Sequence, residues 1–77
     1  RDFNVIYDGS RLEASVRILR DQVPACPPRP GRTHALLALA ALESLGLPAG
    51  ALALSEHFKA CTGAGFAGVL VTFTQRA

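Results

Sequence analysis

The sequence predicts a small α/β domain of order β-α-α-α-β, with three helices packed on a two-stranded sheet. Three observations carry that expectation. Two segments alternate apolar and polar residues with period two. Three segments place apolar residues at helical spacing or consist of strong helix formers. Gly and Pro mark the junctions between them. With 77 residues, residues 1–77 read as one small domain.

The first strand is Phe3 to Tyr7, ended by Asp8-Gly9. A helix to Gln22 follows, where Ser10 and Glu13 form a capping box. Leu12, Val16, Leu19 and Val23 supply its buried stripe, and Glu13, Arg17 and Asp21 pair along its outer face. Pro24, Pro27, Pro28 and Pro30 make residues 24–31 a stiff, extended connector. The second helix is Thr33 to Leu45, stopped by Gly46-Leu47-Pro48. Every residue from Ala35 to Leu42 is Ala or Leu, and a helix apolar all round belongs in a core or an interface. The third helix is Ala51 to Cys61, with Leu54, Phe58 and Cys61 on one face. Gly63 to Gly68 is read as a flexible loop, and Val69 to Thr74 as the second strand.

The formal charge of +2 and an apolar content of 49% exclude a disordered tail. Cys26 and Cys61 make one disulfide at most, which points to free thiols and an intracellular, cytoplasmic, reducing compartment. No Met is present, so the chain is expected to be a piece of a longer protein. The apolar run from Ala35 to Leu54 is broken by Glu43, Gly46, Pro48 and Gly50, which argues against a membrane span. No metal and no cofactor are expected.

A two-stranded sheet is weak alone and leaves its edges unpaired, and the apolar second helix lacks enough chain to cover it. The expected function is therefore non-catalytic: a protein-protein interaction or self-association module, forming a homodimer or heteromer. Its surface is Leu36, Leu37, Leu39 and Leu42, with a strand edge beside it. Arg17, Arg20, Arg29 and Arg32 form a basic rim that steers an acidic partner.

Other motifs define the alternatives. Gly63-Ala-Gly65-Phe-Ala-Gly68 matches G-x-G-x-x-G but follows a predicted helix and opens a predicted strand, the wrong order for a dinucleotide site. The stretch from Thr62 to Val71 resembles the glycine-rich C-terminal motif of the galactokinase and mevalonate kinase superfamily, with Ala67 in place of a family glycine. That resemblance covers about a dozen residues, and the family's nucleotide-binding Gly/Ser loop is absent from the sequence. It implies a small-molecule kinase fragment in which Thr62, Gly63 and Gly65 contact phosphate. The second and third predicted helices also have the spacing of a helix-turn-helix DNA reader, although the third offers only Ser55, His57 and Lys59 to bases. Cys26, His34, His57 and Cys61 are a conceivable zinc set without the usual spacing. His57 and Cys61, four apart, lack a third group that would make them a base and a nucleophile.

Overall fold

A computed structural model describes residues 12–75. It contains four strands, β1 (Leu12–Val23), β2 (Arg32–Ala38), β3 (Leu52–Ser55) and β4 (Cys61–Gln75), and a short 3-10 turn at Glu43–Leu45. They form one antiparallel sheet in the order β1-β4-β2-β3.

This overturns the expected three helices on a two-stranded sheet. Among the described residues there is no α-helix: the three segments read as helices are β1, β2 with the 3-10 turn, and β3. The helix-turn-helix reading loses both of its helices with them. The expected strand from Phe3 to Tyr7 lies outside the described residues. The expected strand from Val69 to Thr74 lies within β4, which also takes in Gly63 to Gly68, read above as a loop.

The physical reasons are local. From Leu12 to Ile18 the chain alternates apolar with polar residues without exception. This period-two signal is stronger than the helical stripe, because a spacing of four satisfies both periods. The Ala/Leu run is equally ambiguous, since a strand whose side chains pack on both faces of a sheet also reads as a continuous apolar stretch. Here β2 lies between β4 and β3, and β4 supplies the neighbour that outweighs helix propensity.

Register sorts the side chains into two faces. On one face lie the cross-strand rows Glu13–Thr74–Arg32, Ser15–Thr72–His34, Arg17–Leu70–Leu36 and Leu19–Gly68–Ala38. On the other lie Val16–Val71–Ala35 and Ile18–Val69–Leu37, extended onto β3 by Leu54 and Leu52. The core is on the first face. It joins Leu19, Val23, Cys26, Leu36, Ala38, Leu42, Phe66 and Leu70, with Leu47, Ala53, Phe58 and Cys61 packed against it.

The prolines have a mechanical role in this topology. β1 and β2 both run antiparallel to β4, so they are parallel to each other and β4 separates them. The chain must return from the level of Val23 to that of Arg32, which pairs with the same Thr74 as Glu13. At strand rise the β1 segment between Glu13 and Val23 is roughly 30 Å long. Nine steps of extended, proline-rich chain reach roughly 28 Å; the same residues as a helix would reach roughly 14 Å. Residues 24–31 therefore form a strap beside the first face. Cys26 anchors it, donating its N–H to the Phe58 carbonyl at 2.8 Å and accepting from the Phe58 N–H at 3.0 Å.

β4 is irregular where it faces β1. Arg20 pairs with Ala67 and Gln22 with Thr62, so residues 63–66 oppose Asp21 alone. Asp21 takes φ 61° and Gly65 φ 80°, and the Asp21 carboxylate accepts the Gly65 N–H at 2.9 Å. The bulge turns Phe66 into the core, where its ring lies against Gly68. A Cβ at Gly68 would sit 2.5 Å from Phe66 Cζ and 2.9 Å from the Leu37 carbonyl oxygen.

Gly68→Ala should therefore destabilise the domain by about 1–3 kcal/mol, the usual cost of overpacking. Gly50→Ala is the contrast: its positive φ carries backbone strain, but nothing lies within 4 Å of the added methyl. Urea unfolding followed by circular dichroism measures both. The added smaller variant Phe66→Leu should restore part of the loss in the Gly68→Ala background if the ring is the obstacle.

Candidate functional site

The polar rows of the first face are not covered by the apolar core. They line a cleft of about 410 Å³ bordered by Pro24, Ala25, Cys26 and Pro27 of the strap. Its sheet side carries Glu13, Ser15 and Arg17 from β1, Thr72 and Thr74 from β4, and Arg32 and His34 from β2. Strand alternation puts these groups on one face, and the register puts them in adjacent rows.

His34 is the most enclosed polar residue among those described, only 4% exposed. Its Nδ1 lies 2.9 Å from Thr72 Oγ1, and its ring is tilted against Phe58 with centroids 6.3 Å apart. The buried Nε2 has no hydrogen-bond partner. Burial pushes the imidazole below its ordinary range, and the neighbouring Arg32 pushes it the same way. Arg32 donates from Nε to Thr74 Oγ1 at 3.3 Å, which leaves its terminal nitrogens for other partners. Arg17 makes no hydrogen bond or ion pair among the described residues. Burial raises the Cys26 thiol, while Arg17 and Arg32 both pull it down. Both guanidinium groups are thus close enough to the strap to act on the same atom.

The structure divides the expected basic rim. Arg17 and Arg32 both line the cleft. Arg20, opposite Ala67, belongs to the other face, and Arg29 lines a separate groove with Gly31, Glu56 and Phe73. The expected apolar surface also divides. Leu36 and Leu42 are fully buried at 0% exposure, Leu37 is half-buried on the second face, and Leu39 is exposed beyond the end of β2. Leu36 and Leu42 therefore serve the core of this fold. Among the described residues, the large apolar side chains left to solvent are Val16, Ile18, Leu52 and Leu54 as well as Leu39 and Leu45.

The glycine segment takes a form different from a phosphate loop. Thr62, Gly63 and Gly65 line a groove with Ser44 and Glu43. The Gly65 N–H that an anion would use is taken by the Asp21 carboxylate, and the Thr62 carbonyl accepts from the Ser44 hydroxyl at 3.4 Å. A Cβ at Gly63 would meet Leu42 Cδ1 at 2.5 Å, so this glycine admits a core side chain. Among the described residues no three His, Cys, Asp or Glu side chains gather to hold a metal ion. Cys26 and Cys61 are both free thiols. No described helix is long and apolar enough to cross a membrane.

The sequence contained the parts of the cleft but no local motif for it. Its residues come from β1, the strap, β2 and β4, and only the strand register brings them together. The alternation Glu13, Ser15, Arg17 was the one available signal. No protein-family model, curated protein or solved structure matches the chain. The likeness of residues 62–71 to the kinase motif thus stands on those residues alone.

The buried imidazole gives stability a pH dependence of definite sign. Its folded-state affinity for protons is below that of the unfolded chain, so the unfolded state gains the proton first as pH falls. The stabilisation is complete above the ordinary imidazole range near about pH 6.5 and is lost as pH drops through it. Urea midpoints measured from pH 8 to 5 should fall more steeply for the native chain than for His34→Gln. One proton limits the difference in slope to about 1.4 kcal/mol per pH unit.

Proposed function

We propose that the chain is a non-catalytic self-association module that pairs with a second copy of itself through the second face of its sheet. One observation carries this reading: the flanks of that face present large apolar side chains to solvent. Ile18 is 66% exposed and Val16 53% on β1, and Leu54 is 69% exposed and Leu52 60% on β3. Between them Ala35 and Leu37 are half-buried, and Val69 and Val71 are already buried within the protomer, so the flanks carry the exposed apolar area. Thr33 is the polar residue that interrupts it within β2. Between Leu12 and Ile18, β1 places no charge on this face.

The dimensions support a second copy as the occupant. The backbone measures 38 × 29 × 15 Å. A sheet needs a second layer on its apolar face, and two sheets pack about 10 Å apart. The plan of the molecule is large enough for the roughly 800 Å² that each partner buries in a stable interface. Among the paired strand residues Arg20 is the one charge on this face, so it offers a polar or acidic partner little to pair with, whereas its apolar flanks are complementary to those of a second copy. Association then rests on removing apolar surface from water, worth about 25 cal/mol per Å².

Sedimentation equilibrium over a concentration series, with reducing agent, tests the reading. The native chain should sediment as a dimer. Ile18→Glu and Leu54→Glu should each weaken association at least about tenfold, because an unpaired buried carboxylate costs several kcal/mol. Both residues are exposed within the protomer, so the strand signal in circular dichroism should persist. A native chain that remains monomeric at the highest concentration reached would refute the proposal.

A further inference from the structure

The polar cleft lies on the opposite face from the apolar flanks and has no part in self-association. We propose that it binds a small, soluble phosphate monoester whose organic part carries hydroxyl groups.

The charge arrangement selects an anion. Two guanidinium groups enter from different strands, Arg17 on β1 and Arg32 on β2, with β4 between them. Arginine's planar fork matches phosphate oxygens and forms charge-assisted hydrogen bonds to them. Arg17 has no competing partner among the described residues, and Arg32 has committed only Nε. Between these cations stand the hydroxyls of Ser15 and Thr74, each able to donate one hydrogen bond to an oxyanion, and that of Thr72, which is engaged with His34.

His34 supplies an independent sign of a ligand. A native fold rarely buries a polar nitrogen without a partner, and such an atom calls for a functional or structural reason. Its Nδ1 is held by the Thr72 hydroxyl at 2.9 Å. When that hydroxyl donates to Nδ1, the neutral ring carries its proton on Nε2 and has one donor unspent. The residue lines the same cleft as both arginines.

The rest of the cleft limits the ligand's size and body. A volume of about 410 Å³ suits a small molecule and exceeds what a bare phosphate fills. Glu13 stands in the row of Thr74 and Arg32. Its carboxylate opposes a second anionic group and accepts hydrogen bonds from hydroxyls. The strap borders the cleft with Pro24 to Pro27, which leaves room for a small headgroup and not for the breadth of a duplex or a membrane.

Glycerol 3-phosphate is the probe, titrated at constant ionic strength into the full chain while backbone amide resonances are followed, with glycerol and inorganic phosphate in parallel. Saturable shifts at Ser15, His34, Thr72 and Thr74 are expected with glycerol 3-phosphate, weaker binding with inorganic phosphate, and none with glycerol. Arg17→Ala should weaken binding about ten- to a hundredfold. Arg17 is exposed, so its removal leaves the fold intact, as the unbound spectrum will show. Arg20→Ala removes the same charge from the other face and should leave affinity unchanged. Glu13→Gln should weaken glycerol 3-phosphate and leave inorganic phosphate unweakened. Three results would overturn the proposal: no saturable shifts, equal losses from Arg17→Ala and Arg20→Ala, or inorganic phosphate binding as tightly as the monoester.

Discussion

The clamp between Cys26 and Phe58 holds the topology together. β1 and β2 are parallel and separated by β4, an arrangement usually joined by a helical crossover of a dozen residues or more. Here the return is made by eight residues, 24–31, that carry four prolines. Extended chain has few internal hydrogen bonds, so it must be tied to the body of the domain. The reciprocal bonds of Cys26 and Phe58 do this, and Cys26 itself is part of the core. Proline stiffness lowers the entropy lost when the strap is ordered. Without the clamp, the buried residues of the first face would lose one of their covers.

The bulge in β4 solves a second packing problem. Among the described residues, the first face of the sheet has irregular chain as its cover, and such cover brings few large side chains. Opposing residues 63–66 to Asp21 alone turns Phe66 from the ladder into the core. The glycines on either side are the consequence: Gly68 leaves space for the Phe66 ring, and Gly63 for Leu42. The Asp21 carboxylate closes the bulge through the Gly65 N–H. A segment rich in glycine thus acts as a packing device, which explains its resemblance in letters to phosphate-binding loops without their arrangement of free N–H donors.

The two faces of the sheet consequently have different chemistry. One is apolar to its flanks and suits association with another sheet. The other is divided between a buried core at the bulge end and a polar cleft near the Arg32 end. The division follows the rows: Arg17–Leu70–Leu36 is the boundary between them. Residues that form a basic cluster along the sequence are separated in the fold: alternation sends Arg17 and Arg20 to opposite faces, Arg32 lines the same cleft as Arg17, and Arg29 lines a separate groove.

By itself the sequence determined the strand from Val69 to Thr74, the extended form of the proline segment, the punctuation by glycine and proline, and a strongly apolar chain with too little material to cover all of it. It also contained the alternation from Leu12 to Ile18, though the stripe of Leu12, Val16, Leu19 and Val23 fits a helix equally well. Local propensity favours a helix for Ala35 to Leu42, and no nearby residue contradicts that choice. Only the tertiary structure decided these segments, because a strand is stabilised by its neighbours and those neighbours lie up to about sixty residues away in the ladder of β1 with β4. The cleft was decided in the same way. Glu13, Ser15, Arg17, Arg32, His34, Thr72 and Thr74 become one site through register, a property of paired strands that no single segment carries.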